Sequence, residues 1–232
     1  MYGLVDNAFV IFLTLGIAAV VAGIVFTARQ ERKRQALYAA FAATNGLTYQ
    51  PKADDSLYEQ FGEGSPFETG HSRSAQHVLS GTLNGAPVLG FTYIYKETTS
   101  SGKSSSTQTY RWQICALWLP SALPWMSIED EGIFGGRVAD ALGFEDVELE
   151  SDDFNHRFRY KTADDRYGSA LMPARMMELM LEGQTGVTRI QGRILYNAIH
   201  QRPKPEDLAA RWDFLARCAA LIPSWVLKDY GR

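Results

Sequence analysis

Residues 7–28 read NAFVIFLTLGIAAVVAGIVFTA and contain no Asp, Glu, Lys or Arg. As an α-helix this stretch spans about 33 Å, against roughly 30 Å of hydrocarbon in a bilayer. It is apolar around its whole circumference, whereas a helix that packs on a soluble core is apolar on one side only. The stretch therefore predicts a membrane-spanning helix.

A cleaved signal peptide is the alternative for this segment. Signal peptides combine a basic n-region with an apolar core of about 7–15 residues and a small-residue cleavage site. Here the preceding MYGLVD has no Lys or Arg, and the apolar core is longer. The triplet at 21–23 resembles a cleavage site but lies inside the apolar run. An uncleaved anchor, residues 1–28, is the favoured interpretation.

Basic residues follow the span at Arg29, Arg32, Lys33 and Arg34, whereas only Asp6 and the terminal amine precede it. By the positive-inside rule, this predicts a short N-terminus outside and a cytoplasmic C-terminal domain at the plasma membrane. The same cations would be attracted to anionic headgroups by about 1 kcal/mol each.

Small residues recur at four-residue spacing within the span, at Ala18 and Ala22 and at Ala19 and Gly23. Such pairs let helices approach closely. They are compatible with self-association and equally with packing on another membrane subunit.

The composition of the 232 residues, 46% hydrophobic and 21% charged, is typical of a globular protein. A net charge of −3 argues against a dedicated nucleic-acid binder. The two cysteines, Cys115 and Cys218, exclude a disulfide scaffold. We expect both to be reduced and buried as small hydrophobic residues.

Beyond the span, residues 29–46 favour a basic juxtamembrane helix that ends at Asn45-Gly46 and offers Leu37 and Phe41 as a docking stripe. Residues 47–232 are predicted to form one cytoplasmic α+β domain. A short strand is expected at 47–50, a short helix after Asp54, and a loop over 62–75.

The clearest β signal is Asn84-Gly85 between two apolar runs, which predicts a tight hairpin. The second strand places Leu89, Phe91, Tyr93 and Tyr95 on one face. A third strand at 107–119 shares an aromatic face, a flexible polar loop (98–106) joins the two, and prolines at 120 and 124 end the meander.

The rest of the chain alternates short strands and helices. We expect a helix over 132–142, short strands at 147–149 and 158–162, helices after Asp164 and Pro173, a hairpin about Gly192, and an amphipathic helix from Pro205 to Ile222. This order favours an α+β fold with a mostly antiparallel sheet and packed helices.

The chain carries no catalytic signature. The four histidines lack helical metal-ligand spacing and no phosphate-binding motif is complete, so no metal, cofactor or catalytic residue is predicted. An apolar, proline-bracketed stretch and the C-terminal tail offer a candidate interaction surface. Bilayer or partner contact and packing under the sheet are both open for these residues: Trp118, Leu119, Trp125, Met126 and Trp225.

Several segments resemble an uncharacterised family of actinobacterial single-pass membrane proteins. They are ALYAAFAATNGLTY, ELESDDFNHRFR, the P-x-R-M-M-E motif at 173–178 and the tail WVLKDYG. The resemblance covers most of the cytoplasmic part and implies location and organisation, without chemistry.

Together these features predict a non-enzymatic interaction module, an accessory subunit or assembly factor of a membrane protein complex such as a respiratory or envelope machine. The alternatives are a ligand- or lipid-sensing domain that uses the aromatic face of the meander, and an enzyme whose site assembles from dispersed residues.

Overall fold

The computed structural model describes residues 2–62, 66–102, 104–130, 147–201 and 204–232. It begins with one helix, α1 (Tyr2–Thr44), which runs unbroken from the apolar segment into the folded domain. The side chains of residues 12–30 are all exposed, so nothing in the described chain covers the apolar part. This exposure is unlike that of a core helix in a soluble protein, which would be buried, and it supports a membrane anchor.

The domain that follows combines a sheet with short helices. The strands are β1 (Thr48–Lys52), β2 (His71–Leu83), β3 (Ala86–Ser101), β4 (Ser104–Asp130), β5 (Phe158–Thr162) and β6 (Val187–His200). The helices are α2 (Ser56–Glu59), α3 (Asp152–Arg157), α4 (Asp165–Leu171), α5 (Ala174–Gly183), α6 (Glu206–Leu221) and α7 (Ser224–Asp229).

Every pair of neighbouring strands is antiparallel, and β4 is the strand that organises the sheet. Strands β1 to β4 pair in chain order. One edge of β4 pairs first with β3 and then with β5, while the other edge pairs with β6 along most of its length. The α+β fold class and the mostly antiparallel sheet are confirmed.

The prediction that prolines end the meander is wrong, because β4 continues through Pro120 and Pro124 to Asp130. The β4–β6 register is irregular on both sides of Leu123. Proline lacks the N–H that a ladder needs, so strands accept it at such irregularities.

The predicted hairpin about Gly192 is also wrong, since β6 is one strand. Gly192 lies opposite Leu123 with a φ of 58°, which glycine adopts without steric cost. The glycine thus lets β6 follow the irregular part of β4 where the sequence alone suggested a reversal.

Other boundaries differ from the predictions. Strand β2 begins at His71 inside the predicted loop, the polar loop over 98–106 is mostly paired strand, and 147–149 is not a strand. Helix α3 was not predicted; Ser151 caps it by accepting a hydrogen bond from the Phe154 backbone N–H. The helix expected over 132–142 lies outside the described residues.

The sheet separates two hydrophobic cores. On one face, the end of α1 and helices α3 to α7 cover residues such as Leu79 and Leu117. On the other face, the α2 region covers the predicted aromatic side of the meander, including Phe91, Tyr93 and Trp112. The prediction that these aromatic residues share one face is confirmed.

Candidate functional site at the membrane junction

The junction between α1 and the sheet is built on the buried side chain of His77. Its ring stacks on Tyr38 of α1, with 4.7 Å between ring centroids and 13° between ring planes. Its Nδ1 lies 3.1 Å from the Tyr49 hydroxyl, and its Nε2 lies 3.3 Å from Glu31 Oε1. We call these four residues the docking cluster; two of them come from α1 and two from the sheet.

The backbone conformation at His77 turns its side chain toward α1. His77 has a φ of 52°, and the β2–β3 register shifts between Gln76 and Leu79. This irregularity is a β-bulge, which redirects a side chain that regular alternation would place elsewhere. A left-handed histidine stores strain, and such strain clusters where a side chain must be held in a defined place.

Burial sets the protonation state of the docking cluster. Desolvation lowers the pKa of His77, although the Glu31 carboxylate acts in the opposite direction. Desolvation also raises the pKa of Tyr38 to about 12. The docked junction therefore favours a neutral imidazole and a neutral phenol at neutral pH.

Tyr38 and Ala42, one helical turn apart, are the buried residues of this part of α1. The predicted stripe of Leu37 and Phe41 is thus shifted by one position: Leu37 is 62% exposed and Phe41 is partly buried. Ala42 brings the helix close to the sheet, a packing role that residue hydrophobicity alone does not reveal.

The four predicted topology residues lie between the apolar segment and Tyr38, on the same turns of α1 as Glu31. Arg29, Arg32 and Lys33 are exposed, while Arg34 is partly buried, 3.8 Å from Glu31. This arrangement leaves a basic collar between the apolar segment and the domain.

The structure does not bring the candidate interaction residues onto one surface. Leu119 and Met126 are buried in the core, so they are wrong as surface residues. Trp118 is partly buried against the aromatic face, Trp125 is partly buried, and Trp225 is 50% exposed on α7. Of the five, Trp225 offers the most exposed ring.

The small residues Ala18, Ala19, Ala22 and Gly23 are exposed on α1. Nothing within the described chain covers them, and both self-association and contact with another membrane subunit remain predictions.

The aromatic face of the meander is filled by its own rings. Phe67 lies 5.0 Å from Tyr93 and 5.1 Å from Phe61, and Phe61 lies 5.4 Å from Phe91, all measured between ring centroids. These distances are those of packed aromatic pairs. These rings therefore occupy the aromatic face with contacts to one another, and the ligand-sensing alternative stays a prediction.

The remaining reactive groups are held in structural roles. Cys115 and Cys218 are buried, and burial raises the pKa of each thiol to about 12, as expected for inert small hydrophobic residues. The buried Arg189 guanidinium donates to Ser127 Oγ at 3.0 Å and to Glu129 Oε1 at 2.7 Å. Among the described residues, no group of His, Cys, Asp and Glu has a metal-binding arrangement.

Comparison with known proteins places this architecture beside one solved structure. No family model matches the chain, and no curated protein matches it. The fold is similar to that of the crystal structure of the mycobacterial trehalose monomycolate transport factor A, TtfA. The TM-score is 0.59 over 85% of this chain and 96% of that one, at 14% sequence identity. At this identity the likeness shows a shared fold.

Proposed function

We propose that the chain is a non-enzymatic accessory protein of a membrane complex that transports cell-envelope lipid. In this proposal α1 anchors it in the plasma membrane, and the α+β domain lies on the cytoplasmic side. The observation that carries the proposal is the continuity of α1, which runs without a break from its exposed apolar part into the buried contact with His77. A domain held this way has a defined position relative to the bilayer, as an accessory subunit requires.

Two further observations support this function. The similar fold belongs to a protein described as a trehalose monomycolate transport factor, which favours envelope lipid transport over respiration as the process served. The basic collar follows the apolar segment, and this charge asymmetry favours a cytoplasmic domain.

The exposed Trp225 supplies a candidate contact for the partner. The C-terminal tail is fixed to the middle of β4, where the Ala122 N–H donates to Arg232 and the Arg232 N–H donates to Ala122. Gln113 of β4 lies beside Tyr38 of α1. Ala122 lies nine residues farther along the same strand, a distance of about 30 Å. The attachment point of the tail is thus remote from the membrane-spanning part of α1, and the Trp225 ring suits a protein partner better than a bilayer.

Cross-linking in intact membranes tests this proposal. A photoreactive amino acid at position 225 of the full chain is expected to capture a polytopic transport protein, identified by mass spectrometry. The matched control carries the same group at Ser224, an exposed position of the same short helix that points about 100° away from Trp225. A chain that is never cross-linked at either position and always purifies alone in mild detergent would contradict the accessory role.

A further inference from the structure

Strands β3 and β4 continue past the rest of the sheet as a two-stranded ribbon. The last residue of β3 that pairs with β2 is Lys96, opposite His71. The first residue of β4 that pairs with β6 is Trp112, opposite His200. Beyond these rows, among the residues that the structure describes, β3 and β4 pair only with each other as far as Gly102. The ribbon therefore projects five residues, or about 17 Å, beyond its neighbours.

The end of this ribbon is made of hydroxyl side chains. Residues 98–101 are Thr-Thr-Ser-Ser and residues 104–107 are Ser-Ser-Ser-Thr, and all eight are exposed. We call these eight residues the hydroxyl ribbon. The Thr98 and Thr107 hydroxyls lie 2.9 Å apart across it. An isolated two-stranded hairpin is marginally stable in water, so an external surface on one side would stabilise it.

The ribbon points in the direction from which α1 arrives. Glu31 of α1 lies at His77, and Gly46, two residues beyond the end of α1, lies at Gly81, so α1 and β2 run in the same sense, away from the membrane. Strand β3 is antiparallel to β2 and therefore runs back toward the membrane, ending at Ser101.

The ribbon is also long enough to reach the bilayer. His77 contacts both Glu31 and Tyr38, so it lies level with about residue 34 of α1, roughly 9 Å below Ala28. From Thr92, which is level with His77, β3 continues for nine residues, or about 30 Å. The tip must rise about 9 Å along the helix axis to reach the level of Ala28, where the hydrocarbon begins, and a strand of this length does so at any tilt up to about 70° from that axis.

We propose that the hydroxyl ribbon lies in the phospholipid headgroup layer of the membrane that α1 spans. Hydroxyls donate and accept hydrogen bonds, which suits phosphate and glycerol oxygens, and the ribbon has no apolar side chain to enter the hydrocarbon. Lys96 and Arg111 are exposed at its base, where cations are attracted to anionic headgroups. The ribbon thus gives the domain a second point of membrane contact beside α1. This inference rests on the anchoring part of the proposed function, and the identity of the partner does not enter it.

Depth-sensitive quenching tests this contact. The full chain carries one introduced cysteine labelled with the fluorophore NBD and is reconstituted into vesicles of phosphatidylethanolamine and phosphatidylglycerol. A fraction of the lipids carries a nitroxide on the headgroup. Cys115 and Cys218 need no replacement, because both are buried. The test positions are Ser101→Cys and, on the opposite strand, Ser105→Cys.

Two control positions show how strong the quenching is far from the membrane and directly beside it. Thr82→Cys is exposed beside the β2–β3 turn, at the opposite end of the sheet, and Gln30→Cys is exposed on α1 next to the apolar segment. We expect strong quenching at positions 30, 101 and 105, several-fold greater than at position 82. Unchanged unfolding midpoints identify variants that fold normally.

Any other quenching pattern contradicts either the membrane contact of the ribbon or the anchoring by α1. Quenching at position 30 but only background quenching at 101 and 105 overturns the membrane contact while leaving the anchor intact. If those dyes were then immobilised in native membranes, the ribbon would bind a protein rather than lipid, which also overturns the inference. A lack of quenching at position 30 overturns both this contact and the anchored function.

Discussion

At the scale of single residues, Tyr38 and Leu37 are neighbours on α1 with opposite surroundings. Tyr38 is 1% exposed and Leu37 is 62% exposed. We expect Tyr38→Ala to lower the free energy of unfolding by about 3–5 kcal/mol, as other buried aromatic truncations do. Leu37→Ala should change it by less than about 0.5 kcal/mol. Denaturant titration of the full chain in detergent, followed by tryptophan fluorescence, measures both; equal effects would mean that α1 is not docked through this face.

His77 makes the stability of the junction depend on pH. Because burial lowers the pKa of His77, the undocked state takes up a proton more readily than the docked state. Docking is therefore fully stable above about pH 6.5 and weakens as the pH falls below it, by at most about 1.4 kcal/mol per pH unit. The measurement is the unfolding midpoint between pH 7.5 and 5.5.

The matched variants for this pH effect are His77→Asn and His156→Asn. Asparagine tolerates the left-handed backbone of position 77 but does not titrate in this range. We expect His77→Asn to flatten the pH dependence, whereas His156→Asn, on the exposed side of α3, should retain it. A wild-type pH slope in His77→Asn would assign the effect to other groups.

At the scale of elements, two glycines with a positive φ differ in their surroundings. Gly186 directly precedes β6, and Gly192 lies within it. A methyl group on Gly186 would overlap the backbone carbonyl of Ala198, whereas one on Gly192 meets nothing within 4 Å. We expect Gly192→Ala to cost about 1–2 kcal/mol from backbone strain alone. Gly186→Ala should cost a further 1–3 kcal/mol or so because of the overlap. Thermal unfolding ranks the two, and equal midpoints would show that the carbonyl can move away.

The elements also show which parts of the fold the sequence predicts. The apolar helix at the N-terminus, the Asn84-Gly85 hairpin and the helix after Pro205 depend on local patterns, and the structure contains all three. The passage of β4 through Pro120 and the continuity of β6 through Gly192 depend on how these two strands pair. Local sequence patterns predict that a strand ends at each of these residues. Only the pairing of the two strands shows that the irregular part of β4 lies opposite the glycine of β6.

The docking cluster was missed for a related reason. Regular alternation along β2 gives no sign that His77 is buried, but a bulge places it beneath α1. The spacing of Tyr38 and Ala42 is an available signal in the sequence, although the stripe at Leu37 and Phe41 is more hydrophobic. This contact combines a bulge in β2 with a small and an aromatic residue of α1. No local sequence pattern reveals it, because its parts come from different segments of the chain.

At the scale of the whole molecule, the charge difference across α1 predicts its orientation. The proposed cytoplasmic location predicts that, in intact cells, a membrane-impermeant maleimide does not label Thr82→Cys and that labelling appears after permeabilisation. Replacing Arg29, Arg32, Lys33 and Arg34 by Gln should yield a fraction of chains labelled in intact cells, since the charge bias is then lost. Labelling of Thr82→Cys in intact cells, with the four basic residues unaltered, would place the domain outside.

The whole molecule also has an uninterrupted mechanical connection. Strand β4 is 27 residues long, a contour of about 90 Å, and it runs from the hydroxyl ribbon past the docked helix to the segment that holds the C-terminal tail. A load applied at one extremity acts along a single covalent backbone whose flanking hydrogen bonds are strained in parallel, so they share the force. A force on the hydroxyl ribbon would therefore be transmitted along β4 toward the residues that hold the C-terminal tail, and a force on that tail would be transmitted back toward the ribbon.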